Sequence, residues 1–201
     1  ANLILDGYVV TRQYDQVAIW ARYFVEHPGF LTAHPGQDRA DLGERAADIL
    51  MAARRGDPGL QPEPGDVGSY VRCGDGYLAV FHDAIAARPT AGMREQLDEV
   101  LYNAGVCYEE GGVLASAIAA FEELRTRFPT SPAAAKALAW LGSLYARVAR
   151  FDEAATMFET YARTYPGRTD AYQALNDAVF YRKALGDDAR AIADATLFVR
   201  T

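Results

Sequence analysis

Between residues 98 and 166 the apolar positions recur with helical spacing. Leu101, Ala104, Gly105 and Tyr108 stand at i, i+3, i+4 and i+7, one face of a helix. Ala117, Phe121 and Leu124 form a matching stripe on a second helix. Between the two stripes lie Gly111 and Gly112, residues that can end a helix in the left-handed conformation. Pro129 closes the second helix, Ser131 is a good N-cap, and Pro132 suits the first position of the next helix. The pattern then repeats. At an offset of 37, without a gap, Leu101 pairs with Leu138, Gly105 with Gly142 and Tyr108 with Tyr145. Ala117 pairs with Ala154, Phe121 with Phe158 and Pro129 with Pro166 at the same offset. A weaker copy keeps Leu175, Ala178 and Ala191 in register. Gly105 and Ala117 are small enough to let two antiparallel helices approach. Each helical hairpin has an apolar stripe that it buries only against a neighbour, so the pattern predicts a stack of hairpins.

The N-terminal half follows the template more loosely. At an offset of 137, Tyr8 falls on Tyr145, Asp15 on Asp152 and Val17 on Ala154, while Pro28 lands one residue short of Pro166. Residues 1–28 therefore read as a degenerate hairpin. Leu42, Gly43 and Ala46 imitate the first-helix stripe, and Tyr77, Phe81, Ala84 and Pro89 the second, which predicts another hairpin over 36–89. Its two stripes are too far apart for a simple hairpin, so an insertion lies between them. The insertion includes the Gly- and Pro-rich, acidic loop 56–68, which reads either as a solvated linker or as a partner contact. The expected fold is all-α, an alpha-alpha superhelix of about five hairpins. Its C-terminal part, 98–201, divides into 98–129, 135–166 and 172–201.

The order Leu-Gly, Tyr, Ala, Phe and a terminal Pro resembles the tetratricopeptide repeat over residues 98–166, and in part over 172–201. The 37-residue spacing exceeds the family's usual length of about 34. With its Pro129-Thr130-Ser131-Pro132 turn, it is similar to the repeats of bacterial envelope proteins. The resemblance implies a non-catalytic solenoid without a cofactor, binding a protein or peptide partner in a concave groove lined by the first helices. The residues at groove positions are Tyr102, Val106 and Glu109; Lys136, Ser143 and Arg147; and Gln173, Asn176, Phe180 and Lys183. Tyr and Phe would serve as anchors. The plainer reading is that these are solvated helix faces, or faces covered by neighbouring repeats. Chaperone-tail binders of the family hold a carboxylate with a Lys and an Asn; Tyr102 and Val106 stand at those positions here, so that activity is not carried over.

Composition narrows the functions. At 201 residues the chain is one large domain or two small ones, and such chains bury roughly 70% of their unfolded surface without metals or disulfides. With 27 acidic against 20 basic residues, and a net charge of −7, it is a poor nucleic-acid scaffold. Its apolar runs fall short of the roughly 20 residues that cross a bilayer. It opens at Ala1 without a charged and then apolar leader, so either a leader was removed or this is part of a longer chain.

No P-loop, Gly-x-Ser-x-Gly, His-Glu-x-x-His or Cys-x-x-Cys motif occurs. His27, His34 and His82 lack metal-ligand spacing and read as solvated. The stretch Cys73–Gly76 is expected in the first turns of a helix, its glycines allowing close packing. Cys73 and Cys107 are equidistant from a turn near residue 90, so antiparallel helices would bring them toward disulfide distance. Two separate buried thiols are the alternative. A bond needs an oxidising compartment, and together with the envelope-like repeats it tilts the localisation toward an extracytoplasmic site. Three functions stay in view: a scaffold that binds a protein; a spacer of a longer repeat protein, self-associating through its solenoid ends; and a small-molecule binder or enzyme with a pocket beside the inserted loop.

Overall fold

The computed structural model describes residues 1–27, 64–86 and 91–200, with positions 41, 42, 45, 46 and 49 between them. Among the described residues there are nine helices and no strand. The chain forms two compact units, Ala1–Ala117 and Ile118–Thr201. The first holds α1 (Asn2–Val10), α2 (Tyr14–Glu26), α3 (Pro64–Ala86), α4 (Ala91–Glu110) and the start of α5 (Leu114–Arg127). The second holds the rest of α5, then α6 (Pro132–Arg147), α7 (Phe151–Thr164), α8 (Ala171–Ala184) and α9 (Asp188–Arg200).

Four helix-to-helix turns are built alike. The amides of Gln13, Val113, Arg150 and Asp187 donate to the carbonyls of Tyr8, Tyr108, Tyr145 and Arg182. This six-residue closure satisfies carbonyls that the helix end leaves unpaired. It requires a left-handed residue just before the donor, and Arg12, Gly112, Ala149 and Gly186 have φ of 56°, 71°, 60° and 76°. Glycine takes that conformation freely; Arg12 and Ala149 hold it with a β-carbon, at a cost of about 1 kcal/mol. The helices that follow three of these turns begin at Leu114, Phe151 and Asp188, at equal intervals.

In the first unit, Leu5 of α1 packs with Val17, Ala21 and Phe24 of α2 and with Leu42 and Ala46. Gly43, Ile49's neighbours in the expected first helix, and loop residues 56–63 lie outside the described residues. Of the expected 56–68 loop, residues 64–68 lie in α3, which begins at Pro64. Proline is tolerated in the first turn, where its missing N–H would have no partner anyway. Consequently Cys73–Gly76 sits in the middle of α3 and not in its first turns.

There α3 meets α4 closely. A β-carbon at Gly74 would come within 2.7 Å of the Tyr108 ring. The Tyr108 hydroxyl donates to Asp75 Oδ1 at 2.7 Å. Cys73 and Cys107, both buried, are paired as a disulfide with Cα atoms 5.9 Å apart, within the range such bonds require.

In the second unit α7 packs against both α6 and α8, and α9 packs against α8. Ser131 caps α6, its Oγ accepting from the Ala134 amide at 3.0 Å. Gly142 marks the α6–α7 crossing: a β-carbon there would lie 2.6 Å from the Phe158 ring. Gly142→Ala should therefore cost about 1–3 kcal/mol, since the overpacking outweighs the gain in helix propensity. Urea unfolding measures it; an unchanged or higher midpoint would mean the two helices do not cross so tightly in solution.

Candidate functional site

What is left for recognition is what packing does not use. Along α6, the side of Ala134, Ala137, Leu138, Leu141 and Tyr145 is buried. Lys136, Ser143 and Arg147, at i, i+7 and i+11, form one exposed strip. On α8 the buried residues are Ala171, Ala174, Leu175, Ala178 and Arg182. Gln173, Asn176, Phe180 and Lys183 make the exposed strip opposite them. Phe180 is 65% exposed and touches the Tyr181 ring edge-on, with centroids 5.3 Å apart. Gln173 donates to Asp177 at 2.8 Å, and the Ser143 hydroxyl donates back to the Ala139 carbonyl at 3.3 Å. On α4, in the first unit, Tyr102, Val106 and Glu109 also share a face but are half-buried. The structure thus leaves seven of the ten expected groove residues exposed on two helices of one unit, and holds the other three partly covered in the other unit.

The helices that carry these strips are positioned by polar ties that the apolar pattern did not reveal. Tyr108 of α4 donates to Asp75 of α3, as described above. Tyr145 of α6 donates to Glu122 Oε1 of α5 at 2.9 Å. In the corresponding place on α8 stands Arg182, whose Nε donates to Glu159 Oε1 of α7 at 2.6 Å. Burial, and then the hydrogen bond to Glu122, push the Tyr145 hydroxyl up to about 12. Burial and Asp75 raise Tyr108 as well. Both hydroxyls therefore stay protonated and donating at neutral pH. Glu122 and Glu159 directly follow the matched pair Phe121 and Phe158 in sequence. Their coincidence at the repeat offset was the available signal.

Arg182 is fully buried and spends its whole fork inside the unit. Besides Glu159 it reaches Asp152, and its Nη2 donates to Thr156 Oγ1 at 2.9 Å. A second tie closes the α7–α8 connection: the Tyr161 hydroxyl donates to Asp170 Oδ1 at 2.6 Å, beneath the Arg168 guanidinium. Tyr161, and then Arg168, hold the Asp170 carboxyl below the usual range.

A cleft of about 430 Å³ in the second unit is lined by Ala162, Arg163, Arg168, Tyr172, Leu175 and Leu197, among others. Its two arginines are tied to Asp194 and Asp170. His27 is exposed, stacked on Tyr23 and bonded to the Tyr23 carbonyl at 2.8 Å; His82 is exposed beside Phe81. His34 lies outside the described residues. No cluster of metal-ligating side chains occurs among the described residues, and no described helix is long and apolar enough to cross a membrane.

Residues 99–131, from within α4 through α5 to the turn before α6, match the family profile of the tetratricopeptide repeat. The chain carries a tetratricopeptide repeat. Tetratricopeptide proteins are in general non-catalytic scaffolds for protein interaction. The profile covers residues 99–131 and does not itself set the repeat length along this chain. Among solved structures, BtubC from P. vanneervenii is similar at 16% identity, covering 98% of this chain and 90% of its own, with a TM-score of 0.46. MamA protein is similar at 16% identity, covering 96% and 92%, with a TM-score of 0.44. A Podosopora anserina protein of nearly identical TPR-like repeats is similar at 13% identity, covering 94% of each chain, with a TM-score of 0.42. Comparison of the sequence with curated proteins finds no match.

Proposed function

We propose that this chain binds a protein or peptide through the exposed strips of its first helices, Lys136, Ser143 and Arg147 on α6 and Gln173, Asn176, Phe180 and Lys183 on α8. In the first unit, Tyr102, Val106 and Glu109 on α4 are proposed as further contacts. The observation that carries the reading is Phe180, a large aromatic side chain 65% exposed amid amide and cationic neighbours. Neither α7 nor α9 uses that side of α8 for packing, since the buried side of the helix runs through Ala174, Ala178 and Arg182. Aromatic side chains with flanking polar groups are typical anchors of protein interfaces. A preordered helical surface loses little conformational entropy on binding, so few anchors are needed.

The test is a partner capture with the chain carrying Tyr102→Ala, Arg147→Ala and Phe180→Ala together. Partner recovery should fall at least tenfold while the unfolding midpoint stays near that of the unsubstituted protein. Undiminished capture by the triple variant would show that the partner is held elsewhere.

A further inference from the structure

The last helix of the second unit is held by more than apolar contact. Asp194 of α9 is fully buried. Its Oδ1 accepts from Arg163 Nη2 of α7 at 2.7 Å, while its Oδ2 is buried without a donor in bonding reach. The group that faces it is Glu159 of α7, another buried carboxyl, which already accepts from Arg182. Two carboxyls therefore meet inside the contact between α7 and α9.

The charged groups around this contact are paired among themselves. From α7 come Asp152, Glu159 and Arg163, from α8 Arg182, and from α9 Arg190 with Asp187 just ahead of it. Arg182 is committed to Glu159, Asp152 and Thr156, and Arg190 to Asp152 and Asp187. Among the described residues, Arg163 is the cation paired with Asp194. Two ionised carboxylates in contact within a dry interior repel strongly. One proton between them removes the repulsion and gives the orphaned Oδ2 a hydrogen bond to donate.

We propose that a proton held between Asp194 and Glu159 latches α9 onto α7, so that the last hairpin loosens as pH rises and uncovers the apolar cluster of Ala162, Ala171 and Leu175, against which Leu197 packs. The electrostatics point the same way. Burial first, and Glu159 second, hold the Asp194 carboxyl above the usual carboxylate range, with Arg163 pulling against them. A carboxyl raised in the folded state gives its full stabilisation below the unfolded value of about 3.9. That stabilisation declines as pH climbs from there through the raised folded value. The latch therefore responds in the opposite sense to ion pairs such as Arg168–Asp170, whose carboxylate is lowered and whose contribution fades on acidification.

The test is hydrogen exchange of residues 188–197 in the full chain from pH 4 to pH 9, corrected for intrinsic exchange. Between the unfolded value and the raised folded value each opening releases one proton, so the opening constant should climb toward tenfold per pH unit there and level off above the folded value. Asp194→Asn, whose amide donates to Glu159 without titrating, should abolish that slope. A flat profile in the unsubstituted protein, or the same slope in the variant, overturns the latch. Carbon-13 titration of the Asp194 carboxyl gives a reading that needs no variant: a midpoint above the usual carboxylate range supports the latch, and one at or below it overturns the latch.

Discussion

Arg182→Ala should cost about 3–5 kcal/mol, the typical penalty for removing one partner of a buried ion pair. The substitution withdraws three donors at once, from Glu159, Asp152 and Thr156. Asp152 is exposed and rehydrates, but Glu159 stays buried beside Asp194 with no cation on it. The main loss is thus the stranded charge and not the missing contacts. Adding Glu159→Gln to Arg182→Ala should recover a substantial part of the stability, because the amide needs no counter-charge. Urea unfolding of the three proteins checks this. If the single variant loses less than about 1 kcal/mol, which is the scale of an exposed pair, the guanidinium is not buried as described.

Reducing Cys73–Cys107 should destabilise the first unit by about 3–4 kcal/mol, because the bond closes a loop of 34 residues. The closed segment includes the α3–α4 connection, so the unfolded chain gains much freedom when it opens. Cys73→Ser with Cys107→Ser should reproduce the effect without reductant. Melting curves with and without dithiothreitol measure it. Identical curves, together with two free thiols in air-handled protein, would show that the sulfurs are neighbours and not bonded. Local contacts across the same helices, Gly74 against the Tyr108 ring and Tyr108 on Asp75, should keep α3 and α4 adjacent in the reduced form.

The architecture was readable in the chain because its signals are periodic. Gly142 lies at a helix crossing, as its size and its place in the apolar stripe require, and Gly112 takes the left-handed turn assigned to it. Ala149 and Arg12 take the same conformation with no glycine to announce it, since the six-residue closure around them outweighs their steric cost. Pro64 marks a helix start, although its Gly- and Pro-rich surroundings read as loop. The polar ties leave no mark in the apolar pattern for a different reason. Tyr108 and Tyr145 have apolar rings that fill the stripe, and only their hydroxyl ends reach Asp75 and Glu122. Where the third copy of the sequence pattern puts Arg182 in that place, the apolar pattern registers a lapse; the structure shows a guanidinium meeting the glutamate at the matching position.

The proposed surface was only partly accessible to sequence reasoning. Helical spacing separates packing positions from outward ones, and on α6 and α8 that separation holds residue by residue. On α4 the same rule fails to separate exposed from covered, since Tyr102, Val106 and Glu109 are half-buried. Spacing along one helix carries no information about what lies over its outward face.

The most direct test places a photo-reactive benzoylphenylalanine at one position at a time, Phe180 or Ser143 on the first helices and Thr160 or Arg163 on the exposed side of α7. One partner should be cross-linked from Phe180 and Ser143, and α7 should yield little. Cross-linking from Thr160 and Arg163 with none from Phe180 would contradict it, and would move recognition to the second helices.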